Sequence, residues 1–405
     1  MRPASLLDAA SELLRRVLRF DAPADGVVSA FFRERRALGS RDRQALADMV
    51  FRVLRERRLI ERLAVDAGEE GPLERRLATV AFDVDRLASI DRRTLPDALR
   101  HNLPDWLAAA LHAQLGEVEF WPLVDSLQAP APLDLRVNTL KRKRDQLQST
   151  LREHAIDAAP TPFSPWGLRV AGKPALAKLD AFTGGEFEVQ DEGSQLLALL
   201  ADARRGQMVV DFCAGAGGKT LALGAAMRDT GRLYAFDTSA HRLDALKPRL
   251  ARSGLSNVHP MCVADERDPR IQRLTGKVAR VLVDAPCSGL GTLRRNPDLK
   301  WRQSPQTIAA LCRRQVAILA SASKLLEPGG RLVYATCSLL VDENESVARE
   351  FGSAHRQFVP LPAAEALEQA RVADAKHLVA GDFLRLWPHR QGTDGFFAAL
   401  WRRAG

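Results

Sequence analysis

The chain has 405 residues, 46% hydrophobic and 27% charged, with a formal net charge of +9 and a pI near 9.6. The length exceeds one ordinary core, so two or three domains are expected, and the composition is that of an ordinary soluble protein. No apolar run reaches the roughly 18 residues needed to cross a bilayer. The start, "MRPASLLDAASELLRRVLRF", reads as an amphipathic helix and not as a signal peptide. Five widely spaced cysteines without a C-x-x-C pair set aside a disulfide framework and a zinc site. A cytoplasmic protein with reduced thiols, no metal and no membrane attachment is expected.

Residues 1–125 carry helical periodicity throughout. In "SRDRQALADMVFRVLRERRLIERLA", Leu46, Met49, Val50, Val53 and Leu54 recur at helical spacing, with Ser40 as the expected N-cap. Proline-marked breaks between positions 96 and 132 suggest that this helical unit ends near residue 125. Residues 126–185 read as a small α+β segment, with "LDLRVNTL" and "GLRVAG" as strands and "RDQLQSTLREHA" as a helix. Over 186–405, nearly continuous apolar strands are expected at 208–212, 232–236, 258–263, 280–283 and 331–335, separated by helices such as 305–326. That pattern indicates a parallel sheet covered on both faces. The end, "FLRLWPHRQGTDGFFAALWRR", adds two strand-like runs joined by a turn. A Rossmann-like parallel sheet finished by an antiparallel hairpin is the α/β outline of a class I methyltransferase.

Charge is unevenly placed. Residues 1–120 hold 20 basic and 20 acidic side chains, leaving 39 and 30 for the rest. The excess includes "KRKR" (Lys141, Arg142, Lys143, Arg144) and "RRNPDLKWR", where Arg294, Arg295 and Lys300 accompany Trp301. Bases with an interleaved aromatic suit RNA, by phosphate neutralisation and base stacking; a solvated basic face is the alternative.

"VVDFCAGAGGKT" (209–220) nearly spells a triphosphate-binding loop, but that loop needs glycine where Cys213 stands. The remaining reading is a glycine turn between a strand and a helix, in which Gly215, Gly217 and Gly218 let backbone N–H groups approach a nucleoside ligand. Ligands of such sheets lie beyond the carboxyl ends of the strands. The second strand ends in Asp237, suited to ribose hydroxyls, the third leads to Asp265, suited to an adenine amine, and the fourth ends in Asp284. Any one of these aspartates alone reads as a turn or helix cap; it is their agreement over successive strand ends that points to a site.

Cys287 and Cys337 lie just beyond the fourth and fifth strands, ends that are adjacent in a doubly wound sheet. Carbon 5 of a pyrimidine is a poor nucleophile. A thiolate that adds to carbon 6 makes carbon 5 enamine-like, and loss of the carbon-5 proton then permits elimination of the thiol. Either cysteine alone would read as a small buried hydrophobe, and Cys262 and Cys312 are taken as structural.

"VQDEGSQ", "DFCAGAGGKT", "AFDTSAHRL", "VDAPCSGLGTLRRNPDLKW", "YATCS" and "DGFF" together resemble the RNA cytosine-5 methyltransferases of the RsmB/Sun/nucleolar-protein family, over residues 130–405. "RDRQALADMVFRVLR" resembles the NusB-like RNA-binding domain found in RsmB-type members. The resemblance implies S-adenosylmethionine as cofactor, bound by Cys213, Ala214, Gly215, Ala216, Gly217, Gly218 and Lys219 with Asp237 and Asp265. It implies Cys337 as nucleophile, Cys287 as the group assisting product release, and Asp284 on the cytosine or the cofactor's edge. RNA, and within it 16S ribosomal RNA, is the implied partner of a monomeric enzyme. The family usually has proline where Ala216 stands. A non-catalytic RNA-binding protein on this fold, or a DNA cytosine-5 methyltransferase using Cys287, are the competing readings.

Overall fold

The computed structural model describes residues 3–68 and 70–405. The chain forms two compact units, Met1–Pro130 with Thr292–Pro305, and Ala131–Gly291 with Gln306–Gly405.

The first unit is helical. Helices Pro3–Val17, Ala24–Glu34, Ser40–Arg55, Arg57–Asp66 and Leu73–Phe82 pack around one core. On Ser40–Arg55, Leu46, Met49, Val50, Val53 and Leu54 are all fully buried, as expected from their spacing. Gly39, in extended conformation, takes the N-cap, and Ser40 is the first helical residue. A later helix, Asp105–Gln128, is kinked at Gly116, whose φ of 69° lies outside the helical region.

The excursion Thr292–Pro305 corrects the reading of 294–302 as an RNA face. Trp301 Nε1 donates to Leu54 O (2.7 Å) and Lys300 Nζ to Arg55 O (2.8 Å). These carbonyls end the helix Ser40–Arg55 and have no partner within it, so the basic-aromatic run serves as a helix cap. Arg294 and Lys300 are buried, Arg295 is half-buried, and Trp301 packs against the helical core. Burial, then the neighbouring Arg55 guanidinium, pushes the Lys300 ammonium down to about 7.

The second unit holds two sheets. Four short strands, β1 (Leu133–Val137), β2 (Ala158–Pro160), β3 (Gly167–Val170) and β4 (Phe187–Val189), form an antiparallel sheet in the order β2-β3-β1-β4. Helix Arg144–Glu153 covers it with Leu147 and Leu151. The basic run before that helix is engaged. Lys141 Nζ donates to Gly184 O and Arg252 O (2.7 Å each), Arg142 pairs with Glu186 at 2.9 Å, and Arg144 donates to Ser164 O at 3.3 Å. Lys143 stands at the N-cap.

The large sheet comprises β5 (Met208–Asp211), β6 (Arg232–Asp237), β7 (Val258–Cys262), β8 (Val278–Asp284), β9 (Leu326–Thr336), β10 (Phe358–Leu361), β11 (Val379–Ala380), β12 (Phe383–Leu386) and β13 (Phe396–Arg403). Its order is β11-β12-β13-β9-β8-β5-β6-β7, with β10 beside β13. Strands β5 to β9 run parallel, and β13 joins β9 and β12 antiparallel, so the sheet ends in the expected hairpin, with a short helix, Pro388–Gln391, in its connection. Val209, Val210, Val281, Leu282 and Val283 are fully buried, as parallel strands covered on both faces require. From β5 the chain steps outward through β6 and β7, then returns to β8 on the other side. The carboxyl end of β5 is therefore the point where strand order reverses, where open α/β sheets bind ligands.

Candidate active site

Each parallel strand delivers a polar residue to this end: Asp211 from β5, Asp237 from β6, Asp265 three residues beyond β7, Asp284 from β8, and Cys337 just after β9. All line one cavity of about 740 Å³, with Cys287 and Arg314 also in its wall. The size lies within the roughly 300–1,000 Å³ range of small-molecule sites.

The turn after β5 forms one wall. Gly215 and Gly217 have φ of 56° and 82°, and a Cβ on Gly217 would collide with Leu246. Asp237 braces the turn, accepting from Gly215 N through Oδ2 and from Ser239 N through Oδ1, both at 2.8 Å. Cys213, Ala214, Gly215, Ala216, Gly218 and Lys219 face the cavity, whereas Gly217 is buried beneath it. Ala216 is exposed, and its carbonyl accepts from Arg249. Burial, then the surrounding aspartates, holds the Cys213 thiol well above its usual range. Asp265 Oδ1 accepts from Arg267 N at 2.7 Å.

In the same cavity the sulfurs of Cys287 and Cys337 are 3.4 Å apart. The Cys337 sulfur, then burial, pushes the Cys287 thiol up, so Cys287 keeps its proton and can donate it toward Cys337. Lys219 Nζ lies 2.6 Å from Asp284 Oδ2. Burial acts to lower this ammonium, but the Asp284 carboxylate more than offsets it and the Cys337 sulfur adds to the upward effect. A persistent cation thus faces both the carboxylate and the sulfur.

Sequence reasoning missed Asp211. It ends β5 at 1% exposure, Oδ2 accepts from Thr220 Oγ1 at 2.7 Å, and Oδ1 is buried with no donor among the described residues. Burial raises this carboxyl to about 7.

The family described as 16S rRNA methyltransferase RsmB/F matches residues 198–402, and the ferredoxin-like domain of RsmF/B-like methyltransferases matches 103–176. The chain is 34% identical over 316 residues to the "Probable ribosomal RNA small subunit methyltransferase B" of Synechocystis sp., covering 78% of this chain and 70% of that protein. The chain belongs to the RsmB/F methyltransferase family. The ribosomal RNA small subunit methyltransferase B of Photorhabdus laumondii is 31% identical over 309 residues, 76% of this chain and 67% of that protein. Among solved structures, PH0851 aligns over 100% of this chain and 99% of its own at 26% identity and a TM-score of 0.82. A methyltransferase homolog protein from Pyrococcus horikoshii aligns over 78% and 100% at 27% identity and a TM-score of 0.65.

An RsmB/F chain is an RNA methyltransferase and takes S-adenosylmethionine. The residues present fit that cofactor. The glycine turn offers close backbone approach, and the orphaned Asp211 Oδ1 would accept from the cofactor's α-ammonium, satisfying an otherwise costly buried acceptor. No helix among the described residues is long and apolar enough to cross a membrane.

Asp211 yields a prediction with two opposed parts. Asp211→Asn should weaken S-adenosylmethionine binding by about 1.5–3 kcal/mol, the range for hydrogen bonds to a charged group, read by calorimetry. The same change should stabilise the cofactor-free protein. A folded value near 7, above the unfolded ~3.9, means that the native state binds more protons between those limits. Unfolding free energy of the wild type therefore falls as pH rises through that window, by up to about 4 kcal/mol. The advantage of Asp211→Asn in urea unfolding should accordingly be larger at pH 8 than at pH 5; an equal advantage at both would remove the buried charge from the explanation.

Proposed function

We propose that this protein methylates carbon 5 of a cytosine in 16S ribosomal RNA through a covalent adduct with Cys337. The observation that carries the reading is the pair of thiols, 3.4 Å apart, at adjacent strand ends on the wall of the cofactor cavity. S-adenosylmethionine supplies the electrophilic methyl group. Asp237 and Asp265 line the cavity with the turn 213–219; Asp237 would accept the ribose hydroxyls, Asp265 would take the adenine amine, and backbone groups of the turn would approach the nucleoside.

Cys337 Sγ adds to carbon 6 of the splayed-out base, with Lys219 compensating negative charge beside the sulfur. Asp284, held by Lys219, faces the base edge. The ring is then nucleophilic at carbon 5 and gains the methyl group there; the carbon-5 proton passes to water, and the carbon–sulfur bond breaks as its electron pair returns to the Cys337 sulfur. Cys287, a neutral thiol against Cys337, assists that release by donating to the departing sulfur. The helical unit, read as a NusB-like module, and the small sheet of 131–190 supply RNA contacts, since RNA enzymes choose targets by shape and unstacked bases.

Because Lys141 caps two carbonyls and Arg142 pairs with the partly buried Glu186, removing either mixes folding with binding; Lys143 is the cleaner probe. Lys143→Ala should lower RNA affinity and flatten its salt dependence by about 0.7 units of slope if one phosphate contact is lost. An unchanged slope would make the run a solvated face. The reading as a whole is tested by bisulfite sequencing of total RNA from a deletion strain against its parent. Loss of one methylcytosine in 16S ribosomal RNA is expected, and an unchanged map would overturn it.

A further inference from the structure

Glu343 is fully buried in the helical turn Asp342–Ser346 that follows β9 and does not line the cavity. Its two carboxylate oxygens collect four donors from three places. Oε1 accepts from Ser288 N (2.8 Å) and Gln315 Nε2 (3.0 Å); Oε2 accepts from Ser288 Oγ and Ser338 Oγ, both at 2.5 Å. Ser288 follows Cys287 and Ser338 follows Cys337, so one side chain ties the loop after β8 to the loop after β9 directly behind the two sulfurs. Gln315, on helix Pro305–Ser323, extends the tie by also donating to Pro286 O at 3.0 Å. Glu343 is itself held by Tyr334 Oη donating to its carbonyl at 2.6 Å, while its neighbour Asn344 donates to Ser338 O at 2.9 Å. A dry carboxylate is costly unless its oxygens are satisfied, and a carboxylate that collects four donors fixes the arrangement of the groups that supply them.

We propose that Glu343 is a positioning residue for the cysteine pair, setting the Cys287–Cys337 spacing by clamping Ser288 and Ser338 to one carboxylate. Its consequence for turnover rests on the cytosine-5 reading, whereas its consequence for the geometry of the two thiols does not.

The test uses full-length Glu343→Gln and two readouts. Glutamine can meet these four partners only by turning both serine hydroxyls into acceptors of its N–H₂, and it lacks the charge that strengthens all four bonds, so the hold on the two loops weakens. Phenylarsine oxide reports the thiol spacing independently of catalysis, because it forms two As–S bonds with a close dithiol and its oxygen leaves as water; Cys287→Ala gives the baseline. In Glu343→Gln, arsenical affinity should fall at least about tenfold and kcat about a hundredfold, the loss that a ~1 Å misplacement brings. The KM for RNA and the calorimetric affinity for S-adenosylmethionine should stay within about threefold. Arsenical affinity and kcat both near wild type in a folded variant overturn the proposal, as does a fall in kcat alone or, where the wild type makes 5-methylcytidine, a fall in arsenical affinity alone. A parallel loss of cofactor affinity also overturns it, since that marks general disruption. If Glu343→Gln does not fold, Ser338→Ala and Ser338→Thr decide: alanine should lower both readouts and threonine, which keeps the hydroxyl, should restore them, while equal values for the two overturn the proposal. A loss of arsenical affinity alongside a wild-type protein that makes no 5-methylcytidine would uphold the positioning and reject the cytosine-5 reading.

Discussion

Cys337→Ala should abolish methylation, with kcat/KM for RNA falling by about 10⁴-fold or more, the scale on which an enzyme loses activity when its nucleophile is removed. Without sulfur at this position, carbon 6 receives no nucleophile and carbon 5 stays unreactive. The half-buried side chain sits in a loop, and alanine removes one atom, so folding and cofactor affinity should be nearly unchanged. Filter-bound methyl incorporation with a calorimetric control checks this. Substantial residual activity in a cofactor-binding variant would assign the attack elsewhere.

Cys287→Ala should behave in the opposite way. If Cys287 acts after methyl transfer, its removal leaves addition intact and stalls elimination, so protein and RNA accumulate as a covalent complex. A slow band should appear on a denaturing gel with RNA and S-adenosylmethionine, and should vanish in the Cys287→Ala, Cys337→Ala double variant. The 3.4 Å contact between the sulfurs gives Cys287 direct access to the bond that must break. If the band comes from Cys337→Ala and not from Cys287→Ala, the roles are reversed, as in enzymes that attack through the first cysteine.

The strand ends were legible because a parallel sheet demands apolar runs on both faces, and those runs end in Asp237, Asp284 and Cys337 with little ambiguity. The two cysteines could be paired from topology alone, since β8 and β9 are neighbours. Asp211 was hidden because it continues a strand pattern and reads as its last residue; only the structure reveals its orphaned oxygen. Glu343 sits in "VDENE", which resembles an exposed acidic turn, yet its donors lie 5 to 55 residues away. The basic run around Trp301 misled in the other direction. Arg294, Lys300 and Trp301 have the composition of an RNA face, but Lys300 and Trp301 cap a helix end more than 230 residues upstream while the buried Arg294 accepts from Arg55 through its carbonyl, uses that no local pattern encodes. Ala216 departs from proline at no evident cost to the turn, because its carbonyl still accepts from Arg249 and Asp237 braces Gly215 next to it.

The central claim is attack at carbon 6 followed by replacement of the carbon-5 hydrogen, and its most direct test follows that hydrogen. Unmethylated 16S ribosomal RNA carrying 5-deuteriocytidine is incubated with the wild-type protein and S-adenosylmethionine, digested to nucleosides and analysed by mass spectrometry. The predicted result is 5-methylcytidine at one position, with one deuteron released to water for each methyl gained. A methyl group found on ribose, on an exocyclic nitrogen or on another base, or a methylated cytidine that retains its carbon-5 deuterium, would contradict the account.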